Sequence, residues 1–161
     1  MTRAVSGWVR IEGPSEYDTG VREDVVMLSY RLGSFGSFLE GDRFPNLTAL
    51  ICVDSGISDL RPLAALANCY SLYLINCSGN QIRSLEGVGE LSQIKYFYCN
   101  HNQIDDLTPL SGCLSLALLE VVGNRLSSLK GLEFCVGLKT VKCGGNMIEN
   151  EDWLREFLPG I

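Results

Sequence analysis

Histidine is almost absent: His101 is the single one in 161 residues. A nucleophilic relay needs an imidazole placed between a nucleophile and an orienting acid. The chain has no nucleophile elbow, no glycine-rich phosphate loop and no spacing of metal ligands, so His101 reads as a surface loop residue. Long apolar runs are missing too. No stretch approaches the roughly 20 continuous apolar residues of a membrane-spanning helix, and no N-terminal run resembles a signal peptide. Positive charge is scarce: 13 Lys and Arg stand against 19 Asp and Glu, for a net charge of −6. With no basic cluster to neutralise phosphates, nucleic acid is not an expected partner. These absences lead to the expectation of a non-enzymatic, cytoplasmic chain with no catalytic residue, no cofactor, no metal and no membrane attachment. Its partner would be another protein.

What the chain has instead is repetition. Leu116, Leu119, Val121, Asn124, Leu126, Leu129, Leu132 and Cys135 form an eight-position pattern. From 116 back to 94, a step of 22, the slots hold Ile94, Phe97, Cys99, Asn102, Ile104, Leu107, Leu110 and Cys113. Another 22 back stand Leu72, Ile75, Cys77, Asn80, Ile82, Leu85, Val88 and Leu91; 22 forward stand Leu138, Val141, Cys143, Asn146 and Ile148. Upstream, Leu47, Leu50, Cys52, Ser55, Ile57, Leu60, Leu63 and Leu66 follow the pattern with Ser in place of Asn. From 47 to 72 is 25, which puts three extra residues in this unit, around Ala67–Cys69. A weaker unit fits Val25, Leu28, Tyr30, Gly33, Phe35 and Phe38. Self-similarity at such a period is the mark of a solenoid, whose terminal units are atypical. The expected organisation is an N-terminal cap over 1–24, about six repeats over 25–149, the first degenerate, and a capping helix over 150–161. In that last segment Trp153, Leu154, Phe157 and Leu158 make a helical stripe, Asn150 is a candidate N-cap, Glu151 and Asp152 suit the first turn, and Pro159-Gly160 ends it.

Within each unit the alternation over the first half predicts a short strand with Leu, Ile, Phe, Val and Cys turned inward. The asparagine of the ninth slot (Asn80, Asn102, Asn124, Asn146) is placed to bond backbone groups opened where the strand turns, giving a ladder. The second half steps by three, as in Ile104, Leu107, Leu110 and Cys113, which suits 3₁₀ or extended turns. Pro62, Gly87, Pro109 and Gly131 share one slot of that half, and neither residue suits a helix interior.

Seven cysteines are present. Cys52, Cys77, Cys99 and Cys143 share the slot filled by Val121 in its unit, and Cys113 and Cys135 share another. Side chains stacked in register point the same way, poor geometry for a disulfide and for convergence on a metal. Free thiols serving as small apolar core groups are expected, in a reducing compartment.

At these residues the chain resembles known leucine-rich repeats. Ile57-Ser-Asp-Leu-Arg-Pro-Leu63 and Ile104-Asp-Asp-Leu-Thr-Pro-Leu110 are similar to repeats of bacterial internalins. Asn80-Gln-Ile-Arg-Ser-Leu-Glu-Gly-Val88 and Asn124-Arg-Leu-Ser-Ser-Leu-Lys-Gly-Leu132 resemble the 22-residue repeats of the intracellular regulatory subunit of protein phosphatase 1 and its relatives, and the tail Trp153–Pro159 resembles the helical cap of that class. The resemblance covers about residues 25–161. It implies an α/β solenoid: a right-handed leucine-rich repeat superhelix with a parallel concave β-sheet and a thin 3₁₀ or extended convex side. It also brings two alternatives to a plain interaction module. One is a regulatory subunit of an enzyme such as a phosphatase; the other is a secreted or surface adhesin or effector of the internalin type.

The outward strand positions would form the working surface. They run Met27, Ser29, Arg31; Ala49, Ile51, Val53; Leu74, Asn76, Ser78; Tyr96, Tyr98, Asn100; Leu118, Glu120, Val122; Thr140, Lys142, Gly144. So apolar a set is unusual for solvent-facing residues and points to an interaction site. The expected partner-binding residues are Ile51, Val53, Leu74, Asn76, Tyr96, Tyr98, Asn100, Leu118, Glu120 and Lys142, with the two tyrosines as anchors. A monomer is expected; an exposed sheet edge would also permit a dimer.

Overall fold

The computed structural model describes residues 47–149 throughout and, upstream, the strands within 3–5, 8–12 and 24–28. The expected capping helix at 150–161 lies outside the described residues, as do Ser29, Arg31 and the turn positions of the first repeat.

The described strands form one eight-stranded sheet in chain order: β1 (Arg3–Val5), β2 (Trp8–Glu12), β3 (Asp24–Leu28), β4 (Leu47–Ile51), β5 (Leu74–Asn76), β6 (Tyr96–Tyr98), β7 (Leu118–Glu120) and β8 (Thr140–Lys142). β1, β2 and β3 pair antiparallel; from β3 to β8 every pairing is parallel. Sequential parallel strands whose chain returns across one side of the sheet coil right-handed. The register follows the repeat: Ala49, Leu74, Tyr96, Leu118 and Thr140 are aligned, then Leu50, Ile75, Phe97, Leu119 and Val141, then Ile51, Asn76, Tyr98, Glu120 and Lys142.

Two register details differ from the sequence expectation. Met27 pairs with Ile51, where the 22-residue step would set it against Ala49, and Val26 rather than Leu28 pairs with Leu50. A register shift between Asp24 and Val25 accompanies the change. A two-residue slip preserves the alternation of faces, so apolar pattern alone does not reveal it. The extra residues of the 25-residue unit also sit elsewhere. Leu72 N–H donates to Cys69 O, as Ile94 does to Leu91 and Leu116 to Cys113. Cys69 is therefore the equivalent of Leu91 and Cys113, and the insertion lengthens the preceding 3₁₀ turn, Arg61–Leu66.

The return segments are 3₁₀ turns: Arg61–Leu66, Val88–Glu90, Thr108–Gly112 and Leu132–Phe134. Proline opens the first and third, where its missing N–H costs nothing. Gly87 and Gly131 open the other two at φ +93° and +105°. A Cβ on Gly131 would stand 2.6 Å from Thr108 Cα, and one on Gly87 2.6 Å from Arg61 Cα. Proline and glycine units therefore alternate because each glycine lets its turn lie directly on the proline turn before it.

One continuous core fills the solenoid, from Leu47 through Phe97 and Leu107 to Val141. The asparagine ladder closes it on the side where strands end. Asn102 Oδ1 accepts the Ile82 N–H at 3.0 Å, while Nδ2 donates to Cys77 O at 3.0 Å and Cys99 O at 3.2 Å. Asn80, Asn124 and Asn146 repeat the arrangement one unit apart. In the unit that begins at Leu47, Ser55 replaces Asn, and its Oγ donates to Val53 O at 3.0 Å.

Candidate protein-interaction surface

On the face of the sheet opposite the core, the outward positions change character from one end to the other. Ala49, Ile51 and Leu74 are buried, at 1%, 5% and 3% exposure, in a second small apolar cluster against which Tyr73 and Tyr98 pack. Ile51 and Leu74, expected as partner-binding residues, therefore offer little surface. Tyr98 is half-buried and part of that packing. Tyr96, its neighbour two residues back, is exposed and meets the ring of Tyr73 edge to face, with centroids 6.1 Å apart. Val53 is also exposed, and Leu118 half-buried.

Toward the C-terminal repeats the same face becomes polar and internally bonded. Asn76 Oδ1 accepts the Ser78 N–H, and Ser78 Oγ accepts the Asn100 N–H. Asn100 Oδ1 accepts the Val122 N–H at 2.8 Å, and its Nδ2 donates to Glu120 Oε2 at 3.0 Å. Lys142 Nζ stands 2.6 Å from the other carboxylate oxygen, Glu120 Oε1. Partial burial pushes the Glu120 pKa up, but the hydrogen bonds from Lys142 and Asn100, with the Lys142 charge, outweigh it and hold the carboxyl below its ordinary value. The string thus runs through Asn76, Asn100, Glu120 and Lys142 across four strands. Each was expected on the outward face from the repeat register. Their mutual bonding was not, because hydrogen bonds between variable positions leave no periodic trace.

The cysteines sit inside. All seven are free thiols; six are buried and Cys143 is half-buried. Cys77 Sγ lies 3.4 Å from Cys99 Sγ, a non-bonded contact between in-register neighbours. Burial, with the nearby Cys77 sulfur, pushes the Cys52 thiol well up, and burial with the Cys99 contact does the same to Cys77. Cys113 is pushed up to about 12 by burial and the Cys135 charge. Cys135 reaches about 11 through burial and Glu133. Raised thiol pKa values mean little thiolate at neutral pH. His101 is exposed at a left-handed turn, φ 53°. Among the described residues no group of three His, Cys, Asp or Glu is arranged to hold a metal ion, and no helix is long and apolar enough to cross a membrane.

Sequence reasoning missed one surface feature. Leu114 and Val136 are 54% and 84% exposed, with Phe134 and Tyr70 also exposed. Leu114 and Val136 occupy the same position, one residue after Cys113 and Cys135. The signal in the sequence is the 22-residue step that separates Leu114 from Val136.

No protein-family model matches the chain. A human protein, leucine-rich repeat-containing protein 56, is 33% identical over 90 residues, which is 55% of this chain and 16% of that protein. Among solved structures, an internalin from Listeria monocytogenes, InlF, superimposes with a TM-score of 0.68 at 26% identity, over 80% of this chain and 36% of that one. The functional domain of InlJ from the same species, which includes a cysteine ladder, superimposes with a TM-score of 0.52 at 22% identity, over 67% of this chain and 27% of that one. The chain thus spans a small part of the human relative and about a third of InlF. The 22-residue period, the parallel sheet, the 3₁₀ returns and the asparagine ladder agree with these likenesses: the chain is a leucine-rich repeat protein.

Proposed function

We propose that this chain is a non-enzymatic protein-interaction module that takes a segment of a partner protein on its concave sheet. Tyr96 is the exposed anchor, Val53 and Leu118 add apolar surface, and Asn76, Asn100, Glu120 and Lys142 supply polar contacts. The observation that carries the reading is the contrast between the sheet's faces. Inward positions repeat almost unchanged from unit to unit, whereas outward ones vary in type and present an exposed tyrosine beside a pre-organised carboxylate. Pre-ordered polar groups cost less to immobilise on binding. Five strands at about 4.8 Å spacing make a narrow platform, short of the roughly 800 Å² per partner of a standard interface. A peptide, a single helix or a small domain that also touches the loops fits it best.

The reading is tested by placing a photo-crosslinking benzoylphenylalanine at Tyr96 or, on the opposite side, at Glu86, and irradiating each protein in native lysate. A partner captured from position 96 and not from 86 is expected. Capture from 86 alone, or equally from both, contradicts it.

A further inference from the structure

The charges of this acidic chain are not spread evenly. The sheet segments 47–53, 72–78, 94–100, 116–122 and 138–144 carry three lysines, Lys95, Lys139 and Lys142, against one acid, Glu120. The turns that join and follow them, through residue 149, carry eight acids against four Lys and Arg. Among the described residues the sheet side is thus net positive on a chain whose total charge is −6.

Two of the three cations are uncommitted. Lys142 is held by Glu120, but Lys95 and Lys139 are exposed and have no carboxylate partner among the described residues. They occupy one column at the strand entrances, with Ala117 between them. Lys95 O accepts both Ala117 N–H and Leu118 N–H, and Ala117 O accepts both Lys139 N–H and Thr140 N–H. This shared-carbonyl stacking fixes the column one strand apart per step, so the two lysines stem from backbones about 10 Å apart. Lys95 immediately precedes Tyr96 in the chain. Ala117 leaves room between the two ammonium groups.

We infer that the surface recognises an acidic peptide segment carrying an aliphatic or aromatic anchor. The anchor lies against Tyr96, and carboxylates about 10 Å apart meet Lys95 and Lys139. The inference rests on the concave-surface reading and narrows it to one partner chemistry. Unpaired rim charges of this kind act chiefly through association rate and salt dependence.

The probe is a displayed peptide library balanced in acidic and basic members, selected on the wild-type protein. The selected peptides are then titrated against Lys95→Glu/Lys139→Glu and against Tyr96→Ala. Enriched peptides are expected to be net negative with an apolar residue. Their affinity should weaken with added salt, and fall by about tenfold or more on charge reversal. Neutral or basic winners, no enrichment, or affinity within about twofold of wild type for the charge-reversed protein would overturn the inference. Peptides lost with Tyr96→Ala but indifferent to charge reversal would leave the concave surface standing and sink only the acidic partner. Acidic peptides lost on charge reversal but indifferent to Tyr96→Ala would uphold the charge recognition and count against the tyrosine-centred surface.

Discussion

Tyr96 and Phe97 are adjacent in one three-residue strand and belong to different parts of the molecule. Phe97 is fully buried and aligned with Leu50, Ile75, Leu119 and Val141, all apolar and all in the core. Tyr96 is aligned with Ala49, Leu74, Leu118 and Thr140, a column that runs from buried alanine to exposed threonine. One face of the sheet meets the same environment in every unit, and its residues are interchangeable apolar groups. On the other, each position meets different neighbours. In a solenoid the first kind of column holds the stack together; the second is free to carry recognition.

The contrast can be broken first from the core side. Phe97→Ala removes the largest fully buried side chain among the described residues and should cost about 3–5 kcal/mol in chemical denaturation. A loss below about 1 kcal/mol would mean that the inner column is not the structural one. Next in size is the ladder. Asn102→Ala strands the Ile82 N–H and takes one of two amide donors from each of the Cys77 and Cys99 carbonyls, and should cost about 1–3 kcal/mol. If it proves neutral, the ladder follows from the fold rather than supporting it. Near pH 9 the effect of pH on the buried thiols is smaller still. Cys113 and Cys135 keep their protons in the folded state to about 12 and 11, while the unfolded chain releases them near the ordinary 9.0. The unfolded state then binds fewer protons, so stability is full below about pH 9 and falls as pH rises toward those values. Denaturation midpoints measured at increasing pH should decline above about 9; a flat profile would show that the thiols are hydrated rather than buried.

Much of this was legible before any coordinates. Period and alternation determine which residues face inward and how strands β4 to β8 align, because a packed solenoid has only one way to bury a repeated apolar set. Pro62 and Pro109 against Gly87 and Gly131 announced thin 3₁₀ returns. The failures share a cause: they concern contacts between non-equivalent residues. Ile51 and Leu74 follow the outward rule yet are buried, since the rule describes strand direction and not what packs over it. Tyr98, outward by the same rule, is half-buried for the same reason. Tyr73, outside the strand slots, meets Tyr96 through a ring contact that no periodicity encodes. The β3 slip by two residues leaves the alternation intact and is therefore silent in the pattern. The place of the insertion is silent too, because Leu66 and Cys69 fit the same apolar slot.

The most direct test compares Tyr96→Ala with Phe97→Ala in two readouts, unfolding free energy and capture of the concave-face partner from native lysate. The account predicts that Tyr96→Ala changes stability by no more than about 0.5 kcal/mol, as surface substitutions do, yet abolishes capture. A Tyr96→Ala protein that loses as much stability as Phe97→Ala, or keeps both its stability and its partner, would contradict the division of labour between the two faces.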